Sequence, residues 1–399
     1  MIDVQDPRRC CACLACVQVC PVSCIAVKRD EEGFPYPEAD AGGCIGCGLC
    51  EKVCPYLSSV SSGEWDRSRR PLQLWAVWNK DEELRKESSS GGVFSALAEK
   101  VLAKGGQVFG AAFNEDWQVC HRAVDNARDL AALRSSKYVQ SDTGHTFSEA
   151  KALLEEGRPV LYSGTPCQIA GLRSFLHQDY PHLYLVDFVC HGVPSPGVWD
   201  SYREEVRGSF GRVGGAMVEV HSVSFRDKGK GWRNYSLRIG TSAGTLAETR
   251  KENAWLQGFL NDLFLRPSCT VCPFKAFASR SDLTLSDFWT LGKYLKGRDD
   301  DKGASLLYVN TEKGRKILEE SADLLDRTEV EKYKYPLVLF SPASYNPAQK
   351  IFYSHWHSGV SVSDSVKAAL PRNPYRKKWR RFKQRLRQAF MRREKYRKG

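Results

Sequence analysis

No stretch of eighteen or more apolar residues occurs in this 399-residue sequence, so it offers no membrane-spanning helix of ordinary length. The first ten residues, MIDVQDPRRC, hold no apolar core and do not read as a secretory signal. Net charge is also scarce over most of the chain. The formal total is +12, yet residues 371–399 carry fourteen Lys or Arg against one acid, Glu394, and the other 370 residues sum to −1. A near-neutral body argues against a fold made to bind nucleic acid.

Cysteine, by contrast, is plentiful at fifteen residues. Eight of these stand in two copies of one string, C-x-x-C-x-x-C-x-x-x-C-P. The copies are Cys10, Cys13, Cys16, Cys20 and Pro21, then Cys44, Cys47, Cys50, Cys54 and Pro55. The string is the bacterial ferredoxin signature, in which three thiolates of a run hold one 4Fe–4S cluster and the fourth crosses to the other. A tight loop presents its three sulfurs to one cube, and the last Cys, ahead of Pro, points away. The expected ligand sets are therefore Cys10, Cys13, Cys16 and Cys54, and Cys44, Cys47, Cys50 and Cys20. Zinc or disulfides are the alternatives, but zinc sites usually pair C-x-x-C units, whereas triplets recur here. Cys11 and Cys24 fall outside the spacing and read as packing residues. So many thiols suit a reducing interior, and the expected location is the cytoplasm.

Residues 1–56 read as the dicluster module, whose second half repeats the first at an offset of 34. Between the runs, IAVKRDEEGFPYPEAD has the pattern of a hairpin. Residues 57–71, LSSVSSGEWDRSRRP, read as a linker. Residues 72–370 alternate β-like runs with helical patterns: LWAVW, GGVFSALAEKVLAKGG, QVFGAAF, a helix near 147–156, PVLYSG, a helix near 168–176, and LYLVDFVC. This alternation implies an α+β or mixed α/β core with partly parallel pairing.

Two features of that core bear on a nucleotide cofactor. Ser88-Ser89-Ser90-Gly91-Gly92 opens a helix whose Val93, Phe94, Leu97, Val101 and Leu102 share one face. Free N–H groups beside two glycines suit a phosphate, although the same string also reads as an ordinary helix cap. Ser135-Ser136-Lys137-Tyr138 offers a cation and an aromatic, or simply a solvated loop. Four more cysteines stand out. Cys167 lies in SGTPCQIAGLR past a strand, Cys190 ends LVDFVC before His191-Gly192, and Cys269 and Cys272 form C-T-V-C-P. Four thiolates suffice for a third 4Fe–4S cube, while spacing alone leaves buried structural thiols or a zinc pair equally open. Cys120 has no partner in spacing and reads as packing.

The strings ESSSGGVFSALA, RSSKYVQSD, YSGTPCQIAGLR, DFVCHGVPSP, VSFRDKGKGW, CTVCPF, SDLTLSDFW and GASLLYVNTEKGRKIL follow one another over residues 72–335. Together they resemble the family of coenzyme F420 hydrogenase and dehydrogenase beta subunits (FrhB/FdhB-like). The resemblance implies an FAD-binding α+β fold with a 4Fe–4S cluster beside the flavin, ligated by Cys167, Cys190, Cys269 and Cys272, which makes three clusters in all. It also places FAD against Ser90, Gly91, Gly92, Lys137, Tyr138, Gly164, Thr165 and Pro166. The fold does not fix the substrate.

Clusters carry single electrons, and FAD converts them to a hydride equivalent. The expected path runs from an external ferredoxin or other donor through the N-terminal clusters and the third cluster to FAD. From there it reaches a small-molecule or glycan-related substrate. His191 is the candidate proton donor, with orientation of a cluster thiolate as its other reading. The family string SDFW suggests that Asp287 and Trp289 shape the substrate side. The alternative function is an electron-delivery protein that docks a catalytic partner. In the tail, Trp379, Phe382, Leu386, Ala389 and Phe390 share a helical stripe within a basic surface. That pattern is expected at the anionic inner face of a membrane, with a solvated tail, RNA or an acidic partner as the other readings.

Overall fold

The computed structural model describes residues 1–57, 70–213 and 216–370. The expected linker, apart from its ends, and the basic amphipathic tail at 371–399 lie outside the described residues.

The two cysteine loops share one backbone course. Each turns through two left-handed residues: Ala12 (φ 49) and Leu14 (φ 56) in the first, Gly46 (φ 71) and Gly48 (φ 70) at the repeated positions of the second. The first loop holds side chains there at about 1–2 kcal/mol each. Short helices α1 (Ala15–Gln18) and α2 (Leu49–Lys52) follow the loops. Between them β1 (Ile25–Arg29) and β2 (Pro35–Ala39) form the expected hairpin, Ile25 against Ala39.

The remainder is a mixed α/β domain in which an eight-stranded sheet carries helices on both faces. In chain order come β3 (Gln73–Asn79), α3 (Val93–Leu102), β4 (Gln107–Phe113), β5 (Val119–Val124), α4 (Thr146–Glu155), β6 (Val160–Ser163), α5 (Pro166–Leu176), β7 (Leu183–Phe188) and α6 (Pro196–Ser209). A separate antiparallel sheet, β8 (Val220–Asp227), β9 (Ser236–Thr241) and β10 (Gly244–Thr249), precedes α7 (Ala254–Leu260). Then β11 (Leu283–Asp287), β12 (Ser305–Val309) and β13 (Leu325–Glu329) complete the large sheet. Its order is β13-β3-β12-β11-β7-β6-β4-β5. β4, β6, β7 and β11 are successive parallel neighbours. β12 runs antiparallel to both β11 and β3, so β3, β11, β7, β6 and β4 all end at one edge.

Alternation along the strands separates two core layers. Leu161, Val186 and Leu307 pack with Val93, Leu97 and Val101 of α3. Phe109, Tyr162 and Leu185 pack with Phe147 of α4 and with Ile169 and Leu172 of α5. The dicluster module is built into this second layer, where Cys11, Cys13, Ala15, Val53 and Tyr56 join the same apolar cluster. Gly171 of α5 permits the approach, because a Cβ there would stand 2.7 Å from Cys13 Sγ. The hairpin tip docks as closely. Ser195 Oγ donates to the Glu32 carbonyl at 2.6 Å, and Gly197 N–H donates to the Gly33 carbonyl at 3.2 Å. Gln18 of the module caps α4 in return, accepting from Phe147 and Ser148 N–H at 2.9 and 3.2 Å. No helix among the described residues is long and apolar enough to cross a membrane.

Candidate functional site

In open α/β sheets, ligands bind beyond the carboxyl ends of parallel strands, where helix N-termini and loop backbone gather. Here that edge carries the Ser88–Gly92 turn between β3 and α3, Asp287 at the end of β11, Cys190 just beyond β7 and Cys167 just beyond β6. Three strand spacings separate β3 from β7, roughly 14 Å at 4.8 Å per strand.

The ferredoxin thiols line two cavities. One holds Cys10, Cys13, Cys16 and Cys54, with Cys11, Ile2 and Tyr56; the other holds Cys20, Cys44, Cys47 and Cys50, with Cys24, Val22 and Ile45. The fourth cysteine of each string stands with the other string's three. Backbone N–H groups aim at the sulfurs, Ala12 at Cys10 and Gly46 at Cys44 (both 3.4 Å), and Ile2 at Cys50 (3.3 Å). Such bonds help set the potential of a cluster. Cys13 and Cys16 are buried, whereas Cys47 is exposed.

Cys167 opens α5, Cys190 follows β7, and Cys269 and Cys272 belong to a tight turn that begins at Pro267. These four are electrostatic neighbours of one another. Thr165 Oγ1 lies 3.1 Å from Cys167 Sγ, and Val193 N–H donates to Cys269 Sγ at 3.4 Å. Buried Lys275 adds a cation, its Nζ donating to the Cys190 carbonyl at 2.7 Å and the Val338 carbonyl at 3.0 Å. Burial pushes Cys269 up to about 11 and Cys272 up to about 12, so any metal bound there would have to displace protons. A hydrogen bond from the Cys11 thiol lowers Cys167 to about 7. Cys11 reaches both Cys13 and Cys167, so it packs in the core and also joins the first ferredoxin set to the four-thiol site. Cys24 Sγ lies 3.5 Å from Cys20 Sγ. Cys120 has Asp142, Arg122 and Lys137 as its charged neighbours. Among the described residues, no group of three or more Cys, His, Asp or Glu side chains is drawn together as a single metal ion would require. A 4Fe–4S cube, with one thiolate on each iron, sets its ligands wider apart than one ion does.

The residues assigned to FAD by resemblance meet along the same edge through the loop 135–143. Ser136 N–H donates to Ser89 Oγ at 2.6 Å, and Lys137 neighbours His121, whose ring abuts Gly164. Most of them already have protein partners. Ser90 Oγ donates to the Ala304 carbonyl at 2.7 Å, and Lys137 Nζ donates to the Ala132 and Arg134 carbonyls at 2.9 and 2.7 Å. Burial lowers Lys137 to about 7, which weakens it as a standing cation for phosphate. Thr165 and Gln168 form a capping box for α5, with Pro166 at its first turn. Gly91 and Gly92 are required by the turn itself: a Cβ on Gly91 would meet the Val77 carbonyl at 2.4 Å, and Gly92 has φ 78. By contrast, α3 has no side-chain cap hydrogen bond. His191 Nε2 donates to Asp262 Oδ1 at 2.7 Å, and the ring meets Phe259 edge-on.

Several residues with a part in this edge escaped the sequence reading. Arg226 Nη1 and Nη2 donate to Asp287 at 2.9 and 3.2 Å, to Tyr138 Oη at 3.0 Å and to the Ser89 carbonyl at 2.9 Å, tying turn, loop and strand together. His121 is clamped between Ser141 Oγ (2.6 Å) and the Ser163 carbonyl (3.0 Å), and burial lowers it to about 4, which keeps it neutral. Arg266 and Gln140 reach the first cysteine loop. The one signal for Arg226 and Arg266 was a charge inside an apolar run, SFRD and LFLRP.

Comparison with known proteins follows the same division of the chain. Residues 74–146 and 157–333 match the families described as coenzyme F420 hydrogenase/dehydrogenase beta subunit, N-term and C terminus respectively, and residues 9–57 match the 4Fe-4S dicluster domain. An F(420)H(2) dehydrogenase subunit of Methanosarcina mazei is 26% identical over 250 residues, which is 56% of this chain and 69% of that protein. Ferredoxin 7Fe of Hydrogenibacillus schlegelii is 49% identical over 55 residues, 13% of this chain and 64% of that protein. A chain of the F420-reducing NiFe hydrogenase complex from Methanosarcina barkeri aligns with a TM-score of 0.46 and 16% identity, covering 75% of this chain and 90% of that one. The protein belongs to the family of coenzyme F420 hydrogenase/dehydrogenase beta subunits and carries a 4Fe–4S dicluster domain at its N-terminal end.

Proposed function

We propose that the chain is an iron–sulfur flavoprotein oxidoreductase that passes electrons between an external carrier and a substrate held beside FAD. The observation that carries this reading is the convergence of Cys167, Cys190, Cys269 and Cys272 at the carboxyl edge, with Cys11 joining them to Cys13. Three thiol sets then lead from exposed Cys47 through the first set, with Cys13 and Cys16 buried, to that edge, an order suited to moving single electrons inward. A flavin there would accept electrons singly and release them as a pair.

Two observations support a flavin at this edge. The uncapped N-terminus of α3 suits a pyrophosphate. Phe188 and Trp289, 40% and 38% exposed at the ends of β7 and β11, offer flat apolar faces to a ring. Trp232 stacks on Trp289 at 4.3 Å and holds it in place. His191, hydrogen-bonded to Asp262 and next in sequence to Cys190, would hold the proton on this reading. Trp289→Ala should weaken FAD binding about tenfold while leaving iron content unchanged. Unchanged flavin affinity in the folded variant would remove this placement.

A second reading has an observation of its own. Val271, Leu337 and Val338 are 47%, 40% and 37% exposed, and the Cys269–Cys272 turn and the Lys275 contact bring them to the four-thiol site. The Methanosarcina mazei relative is by name one subunit of a dehydrogenase. Both facts suit a protein that delivers electrons to a docked catalytic partner. Anaerobic turnover separates the readings: the first requires the purified chain to reduce a small molecule alone, and the second requires transfer only to a co-purifying protein. The location we propose is the cytoplasm, with the basic tail at the anionic inner face of the membrane. Full-length protein should float with anionic liposomes, and a chain ending at Leu370 should not.

A further inference from the structure

Arg266 is fully buried where the dicluster module meets the core. Its Nε donates to the Cys10 carbonyl at 2.8 Å, Nη2 to the Pro35 carbonyl at 3.0 Å and Nη1 to Gln140 Oε1 at 3.0 Å. The guanidinium stacks over Tyr36 at 4.2 Å and lies 5.6 Å from the Phe34 ring. Gln140 in turn donates to the Cys11 carbonyl at 3.3 Å, and Thr143 to the Cys13 carbonyl at 2.9 Å. These hydrogen-bond partners of Arg266 are neutral, and although Asp30 of the hairpin feels its charge, Arg266 forms no ion pair with a carboxylate among the described residues. A guanidinium cannot shed its charge, and burying one without a counter-charge is costly. The ionisable groups that act on it most strongly are Cys10, Tyr36, Cys11 and Cys269.

We infer that the missing counter-charge is the thiolate-bound cluster of Cys10, Cys13, Cys16 and Cys54, and that Arg266 raises the reduction potential of this cluster above that of the outer one. A cluster becomes more negative when reduced, and a fixed cation in a dry interface favours the reduced form. Cys20, Cys44, Cys47 and Cys50 line a separate cavity, Cys47 is exposed, and none of the four is among the groups that act most strongly on Arg266. The resulting difference draws electrons from the surface cluster towards the core. Arg266 is a positioning residue on this account: it fixes the Cys10 loop and sets a potential. Cys269 lies three residues further on, with its N–H on the Arg266 carbonyl at 2.9 Å, so the four-thiol site feels the same charge beside that of Lys275.

The test is a redox titration of the anaerobic, full-length chain followed by electron paramagnetic resonance. Arg266→Met should shift the first cluster to more negative potential, the four-thiol cluster less, and the outer cluster not at all, while Arg266→Lys should recover much of the shift. Should Arg266→Met lose iron, Gln140→Glu decides instead. It sets a carboxylate on Nη1 without changing shape and should lower the same potential. An unmoved first cluster in an iron-replete variant, or an equal shift in all clusters, overturns the inference. The four-thiol part rests on the proposed third cluster, and iron content separates failure of that reading from failure of this one.

Discussion

The two ferredoxin thiol sets come from the same eight-cysteine repeat, with left-handed residues at the same positions, yet the fold gives them opposite surroundings. The inner set, Cys10, Cys13, Cys16 and Cys54, is pressed against α5, bridged by Cys11 to the four-thiol site and faced by Arg266. The outer set, Cys20, Cys44, Cys47 and Cys50, opens beside Ile45, which is 64% exposed. One string can therefore build two sites with different surroundings, because the first loop packs against α5 and Arg266 while the second leaves Cys47 exposed. Ligand spacing fixes what can be bound, and docking decides which set lies nearer the surface.

The comparison breaks most visibly at glycine. Gly171→Ala puts a methyl 2.7 Å from Cys13 Sγ and should cost about 1–3 kcal/mol and the inner cluster. Alanine is the better helix former, so the loss would come from the contact alone. Gly48→Ala meets no atom within 4 Å, and Leu14 tolerates the same conformation in the other loop. That variant should keep all its iron by chemical assay, with a cost of about 1–2 kcal/mol. Anaerobic chelation gives a second contrast. The outer cluster, with Cys47 exposed, should lose iron first, and simultaneous loss from both would contradict the protection expected from buried Cys13 and Cys16.

Acid should act on the dry side of the molecule. His121 ionises near 6.5 when unfolded, but burial lowers it to about 4 in the fold. The unfolded chain therefore takes up a proton that the folded one refuses. This contribution to stability is complete above about pH 6.5 and declines as pH falls towards 4, by about 3 kcal/mol. His121→Gln should flatten that part of the pH–stability curve relative to the parent. The smallest effect is expected from Thr165→Ala, which removes a helix cap at about 1 kcal/mol and the hydroxyl beside Cys167. Thermal unfolding should register the loss while iron content stays level.

Legibility in the sequence followed distance along the chain. The cysteine loops, the hairpin and the alternation of β3, β4, β6 and β7 with α3, α4 and α5 are local patterns, and each is recovered close to its observed bounds, whereas β5 does not read as a strand. Cys167, Cys190, Cys269 and Cys272 come from three separate segments that meet only because β6 and β7 are parallel neighbours and the Cys269 turn folds back on Val193. Spacing left their partnership open. Gly91 and Gly92 read either as room for a phosphate or as an ordinary helix cap, and the turn also needs both glycines for its own packing. The partners of Arg266 could not be read, although its place inside LFLRP marked it as a buried charge, because they include backbone carbonyls more than 200 positions away, and carbonyls leave no trace in residue identity.

The central claim is that three thiol sets, not two, hold iron. Its most direct test is iron and acid-labile sulfide per chain in the anaerobic protein, with Cys269→Ser/Cys272→Ser beside the parent. About twelve of each should fall to about eight in the variant, with both ferredoxin spectra intact. Iron near eight in the parent, or zinc in place of iron at the four-thiol site, would contradict the account.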